Sequence, residues 1–328
     1  MTDNILLSLF VAIFLLSGNT YSGEWHPSVS EKAVTYEESS AWELDINAVF
    51  MTRSSPDSLT YITQPNGSDA FNFSQFEFDY DPGVDVSISR ALSPGRALEF
   101  RYFSLADVNA SERTGPFPAG GVGYNTNPPS GAGFFGVANF VNGTYNSEVR
   151  SGEINYKISQ SENFSFGIGF RYLSLDELFI GAFDLVIPNQ GNAQAWTTND
   201  LYGIQVGGSG LLYSSPNSKL SLSGSAKAGV YHNDASNLLG NTFTQRFGSV
   251  SRDGTAFVGE AGLKVKYSLC KNIDLQAGYQ LLWLDGVAVA SEQLASSGNV
   301  FNLNRTAGMN DSGSALFHGF TVGTGIRF

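Results

Sequence analysis

Charged side chains in this sequence stand at every second position between apolar ones, as in WELDINAVF (42–50) and AGLKVKY (261–267). A period of two is that of an extended strand, whose successive side chains point to opposite faces. The charges therefore share one face of each strand, with carboxylates early in the chain and bases concentrated late. These residues are Glu43, Asp45, Glu77, Asp79, Asp85, Glu99, Arg101, Lys157, Arg171, Lys227, Lys264, Lys266 and Arg327. Brought face to face, such groups can pair with one another or line a water-filled path that selects ions.

Hydrolytic chemistry would need a histidine beside a carboxylate or a serine at an exposed rim. The chain has three histidines, which are His26, His232 and His318. The best such pair is His232 with Asp234, although His232 has the parity of the apolar face of its strand. We find no metal-ligand spacing and no glycine loop of the kind that cradles phosphate. The sequence therefore predicts no catalytic residue, no metal and no cofactor, and leaves this pair as the candidate for a surface hydrolase.

The charged faces belong to a series of alternating segments that run along most of the chain. They cover residues 42–52, 76–90, 97–107, 147–159, 164–176, 200–213, 219–232, 255–268, 273–285 and 315–328. These segments are longer than the strands of typical globular sheets and long enough for a tilted membrane crossing. We find no convincing amphipathic helix between them. The pattern predicts an all-β protein with about ten strands, and about twelve is the alternative count.

The links between these segments alternate in length. The short links contain SPGR, QSEN, SSPNS and LCKN, and the long links are 53–75, 108–146, 177–199, 233–254 and 286–314. Transmembrane barrels show this asymmetry because their periplasmic turns are short and their extracellular loops are long. We therefore predict that 42–328 forms a single up-and-down transmembrane antiparallel β-barrel. Two apolar runs in the long loops, FFGVANFV (134–141) and FIGAFDLVI (179–187), can extend strands, fold inward as a plug or bind a partner.

Composition narrows the class of protein further. The net charge is −12 and the pI is near 4.6, which argues against a nucleic-acid-binding surface. The apolar run ILLSLFVAIFLL (5–16) has the length of a signal-peptide core and is short for a spanning helix. We predict a signal peptide at 1–22 and an N-terminal periplasmic arm at 23–41. The start MTDN lacks the usual basic residues, so a short membrane anchor is the alternative. Cys270 is the only cysteine, which excludes an internal disulfide.

In a membrane the two strand faces meet different surroundings. A Lys or Arg facing lipid at mid-membrane would cost roughly 2–4 kcal/mol, so the charges must point inward and the apolar residues must contact lipid. Two interiors are compatible with this arrangement. Ion pairs can fill the barrel, because ten strands enclose only slightly more space than the eight-stranded barrels that side chains fill. Alternatively, small inward residues such as Gly167, Ser223 and Gly323 can leave a narrow charged lumen.

The final segment has a pattern of its own. In HGFTVGTGIRF (318–328) the apolar face carries Phe320, Val322, Ile326 and Phe328, while the other face is polar and rich in glycine. This tail resembles the C-terminal signature of bacterial outer-membrane β-barrels, in which a terminal Phe is read by the barrel-insertion machinery. The resemblance implies location in the cell outer membrane, with membrane lipid and that machinery as partners.

Three longer motifs carry a second resemblance. They are YQLLWLDGVAVASEQL (279–294), WELDINAVFMTRS (42–54) and FRYLSLDE (170–177). They resemble an outer-membrane β-barrel porin family known mainly from planctomycetes, and the likeness spans most of the mature chain. It implies passive diffusion of small solutes or ions and supplies no catalytic or ligand-binding residues. A closed structural or adhesive barrel whose long loops bind partners is the alternative, and a surface hydrolase is less favoured. The oligomeric state is left open by the sequence.

Overall fold

The computed structural model of the protein describes residues 42–63, 68–116, 123–126, 134–161, 163–185, 191–217, 219–241, 246–296 and 309–328. The predicted signal peptide at 1–22 and periplasmic arm at 23–41 lie outside the described residues. The strands in chain order are β1 (Trp42–Arg53), β2 (Thr60–Thr63), β3 (Asp69–Asn72), β4 (Asp81–Ser93), β5 (Arg96–Thr114), β6 (Gly123–Thr126), β7 (Phe134–Ser161), β8 (Phe164–Leu185), β9 (Gly191–Ser214), β10 (Leu220–Asn241), β11 (Arg246–Cys270), β12 (Ile273–Val287) and β13 (Gly313–Arg327). A 3-10 turn lies at Phe73–Gln75, and a short helix, α1, lies at Ala290–Ser296.

Ten long strands form one closed antiparallel ring in the order β1, β4, β5, β7, β8, β9, β10, β11, β12 and β13. β1 pairs with both β4 and β13, so the first strand of the ring closes against the last. The seam extends to its periplasmic end, where Trp42 and Phe328 exchange two backbone hydrogen bonds of 3.0 Å. Closure removes the exposed edges that an open sheet would present. The prediction of a ten-stranded up-and-down barrel is confirmed.

The two ends of the barrel differ in their connections. At the periplasmic end, tight turns join β4 to β5, β7 to β8, β9 to β10 and β11 to β12, at the predicted positions. The barrel carries a band of exposed apolar side chains on its outside, which we call the lipid-facing band. At the other end several strands continue far beyond this band. Most of the predicted loops 177–199 and 233–254 are in fact strand, because β8 runs to Leu185 and β10 to Asn241. The barrel therefore carries an extracellular extension, which is formed by the upper parts of β7 to β11.

The alternation of buried and exposed residues inverts where this extension begins. Along β8, Phe166, Ile168 and Phe170 are exposed on the outer, lipid-facing side of the barrel. From residue 173 onward the buried apolar side chains point inward instead, as Leu173 and Leu175 do. The outer face of the extension meets water, whereas its inner face encloses a core. Each predicted strand ended where its outward apolar face stops. The extension beyond that level was therefore predicted as loops.

Two segments fold into the extracellular mouth of the barrel. The first consists of the described part of 54–80, where β2 pairs with both β3 and β6. Its 3-10 turn is capped by Asn72, whose side chain accepts a hydrogen bond of 3.0 Å from the Ser74 N–H. The second segment is α1, which contacts the inner faces of β8, β9 and β10. Neither helical segment within the described ranges has the length and apolar character needed to cross a membrane.

Candidate functional site

A cavity of about 300 Å³ occupies the periplasmic half of the lumen, and we call it the vestibule. Two ion pairs cross it from β11 to β1, with Lys264 at 3.4 Å from Asp45 and Lys266 at 3.3 Å from Glu43. The side chains of Lys157 and Lys264 are 41% and 37% exposed, so the vestibule keeps its charges in contact with water. Its lining also includes Asn47, Asp85, Ser87, Glu99, Arg101 and Lys227. The vestibule is therefore a polar pocket that holds both signs of charge.

At the upper end of the vestibule, buried ion pairs cross the lumen. Arg101 on β5 donates to both carboxylate oxygens of Asp85, at 2.8 and 2.9 Å, and also contacts Glu260 on β11. β5 and β11 lie opposite each other in the ring, so the Arg101 and Glu260 side chains together span the lumen. Arg171 on β8 pairs with Glu260 at 3.1 Å and with Glu153 at 3.6 Å. The side chains of Arg171 and Glu153 are each 1% exposed. We call these five residues the ion-pair layer.

Neighbouring polar side chains supply further hydrogen bonds to this layer. Glu153 accepts from Lys227 at 2.8 Å and from Asn155 at 2.9 Å. It also accepts at 2.7 Å from Gln205, whose oxygen in turn accepts from the Tyr231 hydroxyl at 3.1 Å. Buried charges are tolerated when they are paired and hydrogen-bonded, since isolated burial is strongly unfavourable. The layer thus places paired, mostly buried charges across the lumen.

Further toward the mouth, the inserted segment 54–80 packs aromatic side chains inside the barrel. Phe73 lies at the centre, with ring centroids 4.8 Å from Phe179 of β8 and 5.6 Å from Tyr61. We call the buried group the aromatic plug; its members are Tyr61, Phe71, Phe73, Phe76, Phe78, Tyr145 and Phe179. Each such ring buries roughly 150–250 Å² of surface, so the plug excludes water from this level. It forms a second packed level of the barrel interior, separate from the ion-pair layer.

One buried ion pair joins the plug to the barrel wall. Arg53, the last residue of β1, pairs with Glu177 of β8 at 2.9 Å, and their side chains are 1% and 0% exposed. Glu177 also accepts from the Tyr145 hydroxyl at 2.6 Å, from Ser147 at 3.0 Å and from the Ala290 N–H of α1 at 3.0 Å. The Arg53 guanidinium lies 5.0 Å from the centroid of the Tyr145 ring. Through these contacts a single carboxylate connects β1, β7, β8 and α1.

Side chains of the wall also hold α1 in place. Asn199 of β9 accepts from the Ala288 N–H at 2.7 Å and donates to the Ala288 carbonyl at 2.9 Å. Gln293 donates to the Asn310 carbonyl at 2.6 Å and accepts from the Asn310 N–H at 3.0 Å. Glu292 accepts from the Asn310 side chain at 2.7 Å. Burial, together with nearby carboxylates, raises the pKa of Glu292 to about 7.

Most of the charged residues singled out in the sequence lie inside the barrel. The vestibule and the ion-pair layer hold Glu43, Asp45, Asp85, Glu99, Arg101, Lys157, Arg171, Lys227, Lys264 and Lys266. Arg327 pairs with Asp274 at 2.6 Å near the periplasmic rim. On the outer face of β13, Phe320, Val322 and Phe328 are exposed and Ile326 is half-buried.

Glu77 and Asp79 do not face the lumen, and the prediction for these two carboxylates is wrong. Both are exposed, whereas Phe76 and Phe78 are buried in the aromatic plug. Residues 76–80 precede β4, which starts at residue 81, so the predicted strand 76–90 begins too early. The alternation in this stretch is real, but its apolar side meets the plug and not lipid.

The sequence reasoning missed the Arg53–Glu177 pair because both residues were placed in or next to a predicted loop. A signal was present in the parity of β8, since Glu177 lies on the same strand face as Arg171. His232 and Asp234 are both exposed on the outer face of β10. Within the ranges that the structure describes, no group of His, Cys, Asp or Glu side chains could hold a metal ion.

The barrel is similar in fold to solved outer-membrane proteins. The outer membrane protease OmpT from Escherichia coli covers 88% of this chain and 96% of its own, with a TM-score of 0.51 and 11% identity. The translocator domain of the autotransporter NalP from Neisseria meningitidis covers 88% and 89%, with a TM-score of 0.41 and 10% identity. The Pseudomonas putida toluene transporter TodX covers 88% and 90%, with a TM-score of 0.33 and 11% identity.

These likenesses concern the fold alone, because identities near this level carry no activity from one barrel to another. No protein-family model and no curated protein matches the sequence. The resemblance to a planctomycete porin family therefore stays a prediction. What the comparison supports is the coarser statement that the chain has the β-barrel fold of bacterial outer-membrane proteins.

Proposed function

We propose that this protein is an outer-membrane β-barrel with a closed lumen, which acts through its extracellular extension as a structural or binding element of the cell surface. The observation that carries the proposal is the presence of two successive seals. The ion-pair layer closes the lumen at membrane level, and the aromatic plug fills the extracellular mouth. In this proposal the protein is not an enzyme, and His232 and Asp234 are surface residues of β10.

The proposed location in the outer membrane is supported by the outer surface of the barrel. Apolar side chains cover the lipid-facing band, and the rings of Tyr172 and Tyr202 pack together at its upper border with centroids 5.0 Å apart. Aromatic residues of this kind mark the membrane–water interface of transmembrane barrels. The exposed apolar side chains of β13, such as Phe320 and Phe328, suit recognition by the insertion machinery and then contact with lipid.

Porin-like diffusion of small solutes or ions is the second candidate function, and the vestibule is the feature that favours it. Its ion pairs, such as Lys264 with Asp45, are partly exposed, and exposed pairs are worth about 0–1 kcal/mol each. A solute in the vestibule would still meet the contact between Arg101 and Glu260 that crosses the lumen. Diffusion therefore requires a rearrangement that opens both seals.

Conductance in planar bilayers separates the two functions. We expect no steady current from the wild-type protein. We also expect none after Phe71→Ser and Phe73→Ser together, because the ion-pair layer still closes the lumen when the plug is weakened. A steady wild-type current whose ion selectivity shifts on Lys264→Ala would establish the porin-like function instead. Glu148→Ala, which changes an exposed pair on the outer face, is the matched control and should leave the current unchanged.

A further inference from the structure

The outer face of the extracellular extension carries apolar side chains well above the lipid-facing band. Cross-strand pairing places Leu178, Trp196 and Leu238 side by side on β8, β9 and β10. Phe247 of β11 stands one step farther from the membrane, opposite Gly240. Trp196 is 52% exposed and Phe247 is 59% exposed. We call Leu178, Trp196, Leu238 and Phe247 the outer patch.

The strand register fixes the positions of these side chains relative to one another. A Cβ at Gly240 would meet the Phe247 ring at 2.7 and 2.8 Å, so the absence of a side chain there makes room for the ring. Trp196 lies between Leu178 and Leu238 in one row across three strands. Scattered apolar residues on a surface are ordinary, but a contiguous group outside the membrane marks an interaction site. Trp is also among the residues enriched at the hot spots of protein interfaces.

A row of carboxylates separates the outer patch from the lipid-facing band. Asp200, Asp234 and Asp253 are direct cross-strand partners on β9, β10 and β11, and all three are on the outer face. Asp176 lies next to this row on β8. Like charges opposite one another destabilise a sheet, and a cationic partner would relieve that repulsion. Asp200 and Trp196 are four residues apart on one strand, a distance of about 13 Å.

We propose that the outer patch and the carboxylate row together form a docking site for a cationic amphipathic polypeptide. Its apolar side chains contact Trp196 and Phe247, while its Lys or Arg side chains pair with Asp200 and Asp234. An α-helix with its side chains is about 10–12 Å wide, so one helix lying across the strands reaches both rows. The inference rests on the proposed function, because it gives the extracellular extension of a closed barrel its partner.

Charge complementarity selects this occupant over two others. A second copy of the chain would bring an identical carboxylate row and a net charge of −12 to the interface. The acyl chains of the membrane do not reach the patch, because Asp200 and Asp234 lie between Trp196 and Tyr202, which marks the upper border of the lipid-facing band. A partner with the opposite charge gains affinity and association rate from the same row.

Binding of a synthetic peptide tests the proposal. The probe is a fluorescent amphipathic helix of about 18 residues, made of Leu and Lys, measured by anisotropy with the protein in phosphatidylcholine nanodiscs. We expect Trp196→Ser with Phe247→Ser to weaken binding by about tenfold or more. Asp200→Asn with Asp234→Asn should weaken it several-fold at low salt, and this difference should vanish at about 1 M salt. Tyr213→Ser removes an exposed aromatic near the periplasmic end and is the matched control.

Equal affinity of the wild-type protein and the Trp196→Ser, Phe247→Ser variant would overturn the proposal. So would a patch-dependent dimer in native mass spectrometry, which would assign the site to a second copy. The substituted side chains lie on the outer face, and heat-dependent gel mobility verifies that each variant forms the barrel. If the wild-type protein neither binds the peptide nor conducts, the docking site is refuted and the closed barrel is retained. A steady wild-type current would instead refute the proposed function, whether or not the peptide binds.

Discussion

The lower and upper halves of the barrel interior are built from the same strands, but buried apolar side chains are concentrated in the upper half. On β10 the inward residues of the lower half include Ser223 and Lys227, whereas those of the upper half include Ala235 and Leu239. The lower half contains a polar cavity and several ion pairs, and the described part of the upper half contains aromatic rings and the buried Arg53–Glu177 pair. The medium outside explains this difference, because lipid requires an apolar outer face and water permits a polar one.

The two halves should therefore respond differently to the loss of a side chain. Charges near water in the vestibule are screened and individually worth little. Charges and rings in the upper half have no access to water, so their removal leaves an uncompensated charge or a packing defect. Four substitutions measure this contrast through the free energy of unfolding in urea, with the protein in detergent micelles.

The largest effect is expected for Glu177→Ala in the upper half. It leaves the Arg53 guanidinium, 1% exposed, without its counterion, which should cost roughly 3–5 kcal/mol of stability. Glu148→Ala is the control, because its partner Arg150 is 53% exposed and the loss should be about 0–1 kcal/mol. Equal losses for the two variants would show that water reaches the Arg53–Glu177 pair.

The next largest effect is expected for Gly143→Ala on β7. A Cβ there would lie 2.5 Å from Phe71 Cζ and 2.8 Å from Phe76 Cζ, so the aromatic plug would have to shift. Overpacking of this kind costs about 1–3 kcal/mol. Gly152→Ala on the same strand is the matched control, since a Cβ there meets nothing within 4 Å. A Gly143→Ala variant as stable as the Gly152→Ala variant would mean that the plug is loosely packed.

A pH dependence is expected from Glu292 on α1. Its pKa is raised from an ordinary value of 4.5 to about 7, so the folded state binds this proton more tightly than the unfolded state. The free energy of unfolding should therefore fall as the pH rises from about 4.5 to about 7, by roughly 1–2 kcal/mol after allowance for partial exposure. Glu292→Gln stays neutral and should remove this part of the pH profile. An unchanged profile in that variant would assign the pH dependence to other groups.

The smallest effect is expected for Lys264→Ala in the vestibule. Asp45 keeps a hydrogen bond of 2.5 Å from Gln276, and the lost pair was partly exposed, so the cost should be about 0–1 kcal/mol. The difference in the free energy of unfolding between this variant and the wild-type protein should shrink from low salt to about 1 M salt, since salt screens the pair that the variant lacks. A loss of several kcal/mol would show that the vestibule is dry and would erase the contrast between the two halves.

The ring of ten strands and its short turns were predictable because lipid imposes a strict period of two on every crossing. The upper half could not be predicted in this way, because its strands keep the same period of two outside the membrane. A period of two shows which residues share a face, but not which surroundings that face meets. Phe76 and Phe78 alternate as lipid-facing residues would, yet they enter the aromatic plug. Glu177 lies on the same face of β8 as Arg171, but the predicted loop began at residue 177 and so separated the two residues.

The pairing of β1 with β13 has a consequence for how the molecule is made. Synthesis proceeds from the N-terminal side, so β1 exists long before its partner does. Until β13 is paired, a partly assembled sheet has two open edges, and open edges pair readily with other chains. Because the closing contact joins strands so far apart in the sequence, it is also among the slowest to form. A chain lacking its final strand would therefore keep free edges on β1 and β12, which could pair with other chains.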